Sequence, residues 1–161
     1  MNLRFFRNIM NKRILYTIFG VVLTLGGCSG GYELGDYYHA GGEKGIVLAV
    51  DDEGKVTMLM SVDEALNLDS DSAMKWASNY ADGSWHLPTK EEMAVIKKYK
   101  SLMNITIGHK KLQPVMAGHT FYWTSTPCSE SHTFACGPDG IRCYFNTNTS
   151  PFYRARAVKT L

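Results

Sequence analysis

This 161-residue sequence predicts an α+β domain behind an export signal, on three observations. A basic N-terminus runs into a short apolar stretch that ends at a cysteine. Two helical patterns stand in the middle of the remaining chain. Strand-forming runs lie before and after them, which suits a compact α+β architecture with antiparallel sheets.

The export signal comes first. Arg4, Arg7, Lys12 and Arg13 precede the apolar run from Ile14 to Leu25, and no acidic residue interrupts them. Charge, then a short apolar core, then small residues is the pattern of a secretory signal peptide. The run is too short for a comfortable membrane span, which needs roughly 20 residues. It closes on Leu25-Gly26-Gly27-Cys28, which resembles the bacterial lipobox. That resemblance implies cleavage after Gly27 and a diacylglycerol on the Cys28 thiol. The alternative is an ordinary signal peptide cut elsewhere, with Cys28 left for a disulfide. The expected organisation is therefore a lipoprotein signal peptide over 1–27, a lipidated tether over 28–33 and one domain over 34–161. Four of the seventeen basic residues precede Cys28. The processed chain thus carries thirteen against fifteen acidic ones, a formal charge of −2. The basicity belongs to the signal, and no nucleic-acid partner is expected. Lys97, Lys98, Lys100, Lys110 and Lys111 read as a solvated helix face and loop.

The elements follow in order. Gly45 to Val50 and Val56 to Val62 are apolar, strand-forming runs around the turn Asp51-Asp52-Glu53-Gly54, and they predict a β-hairpin. Ala73, Trp76, Ala77 and Tyr80 fall on one helical face, with Ser70 or Asp71 as the cap. Thr89 and Glu92 make a T-x-x-E capping box, behind Pro88, for a second helix to about Lys100. Phe121 to Thr126 is a strand. His132 to Cys136 and Ile141 to Phe145 form a hairpin around Gly137-Pro138-Asp139-Gly140. Tyr153 to Val158 is the last strand. Trp76, Trp85 and Trp123 are expected in the core, each with a partner for its indole N–H.

Three segments resemble a widespread bacterial family with a C-type-lectin-like fold. Trp85-His86-Leu87-Pro88-Thr89-Lys90-Glu91-Glu92-Met93 is similar to its W-x-L-P-T-x-x-E segment. Tyr122-Trp123-Thr124-Ser125-Thr126 is similar to its Y-W-S-S-T segment, with Thr124 in place of serine. Arg154-Ala155-Arg156-Ala157-Val158 resembles its closing V-R-x-V strand. Gly35-Asp36-Tyr37 and Lys44-Gly45-Ile46-Val47 resemble its opening, so the likeness spans about 34–161. The family includes envelope lipoproteins, terminal domains of collagen-like adhesins and retroelement-diversified variable proteins. In the last group, ligand-binding residues lie between the second and third segments. Carried over, that implies a protein or glycan site among Ser129, Glu130, Ser131, His132, Asn146, Asn148, Ser150 and Phe152. Such residues combine adaptable hydrogen bonding with stacking surface, although ordinary loops favour the same polar types. Calcium-dependent lectins of this fold carry E-P-N or Q-P-D and W-N-D motifs, which are missing here, so binding without calcium is expected.

Lipidation of Cys28 would leave Cys128, Cys136 and Cys143. In the hairpin above, Cys136 faces Ile141, so Cys136 and Cys143 are diagonal neighbours about 7–8 Å apart. A disulfide wants Cβ atoms about 3.5–4.5 Å apart. A bridge is therefore expected from Cys128 to Cys136 or Cys143. With His132 these cysteines also make a C-x3-H-x3-C-x6-C set, whose spacing matches no established zinc motif. No metal or cofactor is expected. No G-x-S-x-G, H-E-x-x-H, P-loop or G-x-G-x-x-G is present, and no enzymatic activity is expected. The sequence reading is thus a lipid-anchored envelope protein, placed at the outer membrane, with a lectin-like binding or adhesion domain. The alternative is a structural or assembly subunit of an envelope or surface complex.

Overall fold

The computed structural model describes residues 31–161, and the expected signal peptide and Cys28 lie outside the described residues. The chain order is β1 (Tyr37–Ala40), β2 (Glu43–Val50), β3 (Val56–Met60) and β4 (Ala65–Leu66), then α1 (Ser70–Ser78) and α2 (Lys90–His109). β5 (Phe121–Ser129), β6 (His132–Gly137), β7 (Gly140–Phe145), β8 (Tyr153–Ala155) and β9 (Val158–Thr160) follow. This is an α+β architecture with two sheets, ordered β1-β2-β3-β9 and β4-β8-β5-β6-β7. The first sheet is antiparallel throughout. The second is mixed, because β8 lies parallel to β5, a correction to the antiparallel expectation.

Alternation along the strands sends neighbouring side chains to opposite faces, and here both faces are buried. Ile46 and Leu48 join one core cluster with Met93, Ile96, Met103 and Ile107 of α2. Val47 joins the other with Ala73 and Ala77 of α1. The central strands of the second sheet divide in the same way. Tyr122 and Cys136 face the α2 cluster, whereas Trp123 and Ala135 face the α1 cluster. The two helices thus cover opposite faces.

Several boundaries differ from expectation for identifiable reasons. The first helix is capped by Asp69, whose side chain accepts the Ser72 N–H at 2.7 Å, not by Ser70 or Asp71. Tyr80 stands past its end, in the following turn. The second helix runs past Lys100 to His109, because Met103 and Ile107 extend its buried stripe. Burial overrides the weak helix propensity of Ile105-Thr106-Ile107. The last apolar run is two strands, not one. After β8, Arg156 and Ala157 cross to the first sheet, where Ser61 N–H donates to Ala157 O at 2.8 Å and Ala157 N–H donates to Ser61 Oγ at 3.0 Å. β1 is held to β2 by Gly41 and Gly42, both at positive φ, as a tight two-residue hairpin turn requires.

The capping box forms as the sequence reading has it. Thr89 Oγ1 accepts the Glu92 N–H at 3.2 Å, and Glu92 Oε2 accepts the Thr89 N–H at 2.8 Å. Burial pushes the Glu92 carboxyl up, but hydrogen bonds from His86 and Thr89 outweigh it and hold the pKa below the ordinary 4.5. A carboxyl depressed by folding contributes stability above its unfolded pKa, and that contribution is lost as pH falls through the folded value. Glu92→Gln is therefore expected to destabilise the domain at pH 7. The gap from wild type should narrow as pH falls below about 4.5, read by urea unfolding at several pH values.

Trp123 is fully buried and its indole N–H donates to Leu68 O at 2.8 Å. Trp85 is also buried, yet its Nε1 has no hydrogen-bond partner among the described residues, contrary to expectation. Its ring instead meets Tyr80 edge-on, with centroids 5.1 Å apart. Trp76 is only half-buried, packed against the α1 cluster beside Tyr80. No helix among the described residues is long and apolar enough to cross a membrane.

Candidate functional site

The expected binding residues fall into two groups, one at the β5–β6 turn and one in the turn before β8, where Phe152 O accepts the Phe121 N–H at the opposite end of β5. The first surrounds the β5–β6 turn. Ser129, Glu130 and Ser131 are exposed there. The hydroxyls of Ser129 and Ser131 lie 3.2 and 2.9 Å from His132 Nδ1. The His132 ring rests against Phe145, with centroids 4.1 Å apart. Two hydroxyls on one ring nitrogen orient the imidazole and leave Nε2 without a chain partner among the described residues. Phe145, at the end of β7, keeps 58% of its surface exposed. It is absent from the expected set, although the register that pairs Cys136 with Ile141 also places it opposite His132.

Asn146 joins this group but is occupied in holding it together. Its Oδ1 accepts from Thr133 Oγ1 at 2.9 Å, and its Nδ2 donates to Glu130 O at 3.2 Å. Its backbone N–H donates to Ser131 O and its carbonyl accepts from Ser70 N–H. Asn146 is thus a brace for the turn and for the start of α1. The second group is the turn before β8. Asn148 Nδ2 donates to the Tyr153 hydroxyl at 3.0 Å. Ser150 Oγ accepts the Phe152 N–H at 3.2 Å, leaving the Phe152 ring 54% exposed. Tyr153 is itself stacked on Trp123 and Phe121, with centroids 5.0 and 5.2 Å apart. The turn therefore sits on an aromatic base that reaches the core.

A disulfide between Cys128 and Cys143, Cα atoms 6.1 Å apart, pins the β5–β6 turn end of the sheet. It links β5 to β7, the two strands that flank β6, and register shifts in β5 around Pro127 bend the strand toward it. Closing a 15-residue loop in this way stabilises the fold by about 3 kcal/mol. Cys136 is a free, buried thiol, and burial pushes its pKa up, so it has none of the character of a reactive thiolate. With two of the four C-x3-H-x3-C-x6-C residues bonded to each other, that set is not free to bind zinc.

One charged cluster carries no local signal in the sequence. Glu64, 5% exposed, accepts from Arg154 Nη1 at 2.7 Å and from the Tyr122 hydroxyl at 2.6 Å, and its Oε2 lies 3.6 Å from Arg156 Nη2. Arg156, 1% exposed, also donates to the carbonyls of Ser61, Val62 and Gln113. Burial, and then the bond to Glu64, push the Tyr122 pKa up. The cluster is a joint: it ties the segment before β4, the loop after α2, β5 and the β8–β9 crossing. The cluster supports the fold, although the Nε atoms of Arg154 and Arg156 are buried without a hydrogen-bond partner among the described residues.

The structure offers exposed hydroxyls, an oriented imidazole and the solvent-facing Phe145 ring on a cross-linked sheet end, a set that can hydrogen-bond and stack. No protein-family model matches the chain, and no characterised protein matches it either.

Proposed function

We propose that the protein is a lipid-anchored component of a bacterial envelope with a C-type-lectin-like domain, and that it binds a glycan or protein ligand without calcium through the 127–152 segment, at the β5–β6 turn. One observation carries the site: Ser129, Ser131, His132 and Phe145 present polar and aromatic groups together on a surface braced by the Cys128–Cys143 bond and by Asn146. A ligand that stacks on Phe145 and accepts from or donates to His132 would gain affinity without ordering a loose loop, so its entropic cost is low.

Support for the lectin-like fold comes from where the three motif segments meet. His86 bridges Val158 in the backbone. Ser125 N–H donates to Pro88 O, and Lys90 N–H donates to Thr126 Oγ1. All three segments converge on one junction, as pieces of a common architecture would.

The test is a glycan array and a surface-peptide library probed with the processed chain. Against any ligand found, His132→Ala and Phe145→Ala are each expected to weaken binding by about 10–100-fold, the range of interface anchors. Asn146→Ala is expected to act through the turn, lowering stability and affinity together. Unchanged affinity in both His132→Ala and Phe145→Ala would remove this surface from consideration.

A further inference from the structure

The outer face of α2 carries a stripe that the fold does not use. Lys98, Leu102, Ile105 and His109 are all exposed and spaced to line one side of the helix. Leu102 keeps 46% and Ile105 59% of its surface open to solvent. The exposed Glu91 lies on the same side two turns before Lys98, and from there on the stripe carries no acidic residue. Between Met93 and Ser129 there is no acidic residue at all, while Lys97, Lys98, Lys100, Lys110 and Lys111 fall in that stretch. Lys110 and Lys111, both exposed, continue the stripe past the helix end. An apolar pair flanked by cations is the pattern of a helix that lies in the interface of an anionic bilayer, and the nearby acids, Glu33 and Asp36, stand on the N-terminal segment beside Gly35.

The course of the chain points to the same occupant. Gly35 abuts this helix so closely that a Cβ placed on it would lie 3.0 Å from Leu102 Cγ. Two residues further on, the Tyr37 ring sits 4.6 Å beneath Lys110 Nζ. Cys28 stands seven residues before Gly35, a span of no more than about 25 Å even when fully extended. An acyl chain on Cys28 would hold the bilayer within that reach of Leu102. A second copy of this chain fits the stripe poorly. A two-fold contact sets the same patch against itself, so these cations would face each other, and two apolar side chains fall far short of a stable interface of about 1,200 Å².

We infer that the Leu102–Ile105 face of α2 docks onto the anionic phospholipid surface to which the chain is anchored, which fixes the domain's orientation there. This rests on the lipid-anchor reading proposed above. Leu102 and Ile105 enter the interfacial region, and Lys98, Lys110 and Lys111 meet lipid phosphates. α1 lies on the other side of the sheets, facing away.

The test uses the full chain processed by the producing cells and purified from their membranes. An environment-sensitive fluorophore is placed at Ile105→Cys or, as control, at Lys75→Cys on α1. Vesicles are phosphatidylcholine alone, or with about one-third phosphatidylglycerol. In anionic vesicles the label at 105 should be blue-shifted and at least about threefold less accessible to an aqueous quencher than the label at 75. Lys98→Glu with Lys110→Glu and Lys111→Glu should abolish that difference, as should about 0.5 M salt, which shrinks the screening length to roughly 4 Å. Equal accessibility at 105 and 75 in an acylated protein overturns the docking face and leaves the anchor standing. If intact mass shows no acyl group, protection of the label at 105 upholds the face while the anchor falls. An unacylated protein that leaves the vesicles unbound overturns both.

Discussion

Glu64→Ala is expected to destabilise the domain by about 3–5 kcal/mol, because it strands a buried guanidinium without its counter-charge. Arg156 is 1% exposed, with Glu64 Oε2 3.6 Å away. Its other partners are carbonyls, which can accept its protons but cannot neutralise it. The same substitution removes the acceptor of the Tyr122 hydroxyl and the partner of Arg154. For a domain of this size the loss corresponds to a Tm lowered by about 10–18 °C. Tyr122→Phe, which leaves both ion pairs intact, is expected to cost only about 1–2 kcal/mol. Urea unfolding of both variants reads the difference. A loss below about 1 kcal/mol in Glu64→Ala would mean that the cluster is not the joint described above.

Trp123→Ala is expected to cost a similar amount, about 3–5 kcal/mol, and to reach the turn before β8 as well. The ring is fully buried, its N–H is committed to Leu68 O, and Tyr153 is stacked on it. Tyr153 in turn holds Asn148. Removing the indole therefore undermines the turn that carries Ser150 and Phe152. Hydrogen exchange should show faster opening of residues 146–153 than of β2 and β3 in this variant. Trp76→Ala, at a half-buried ring, is expected to cost clearly less. Equal losses at positions 76 and 123 would contradict the packing described here.

Much of the fold was legible in the sequence because local rules and burial agree there. The capping box at Thr89 and Glu92 specifies a helix start whatever lies around it, and the structure begins α2 at Lys90. The Gly137-to-Gly140 turn fixes its own register, so Cys136 pairs with Ile141 and the diagonal placement of Cys143 follows. The parts that were not legible depend on partners distant in the chain. β1 is four residues long and half polar, and only its pairing with β2 makes it a strand. The run from Tyr153 to Val158 looks continuous. It divides because the buried Arg156 requires carbonyls from Ser61, Val62 and Gln113, forty or more residues away in the chain. Glu64 carries no local signal at all.

The site was legible in part for the same reason. A tail segment rich in Ser, Asn and aromatic residues can be read as a surface. The sequence does not separate residues that face a ligand from residues that hold the surface together. Asn146 and Asn148 are braces by their hydrogen bonds. Phe145 was within reach of the sequence, because the register that pairs Cys136 with Ile141 also sets it opposite His132.

The functional reading begins with the anchor, and the N-terminal peptide of the protein extracted from bacterial membranes tests it most directly. Mass spectrometry should find a mature chain that begins at Cys28 and carries diacylglycerol on that thiol. A chain that begins elsewhere, or at an unmodified Cys28, would contradict the lipid-anchored reading.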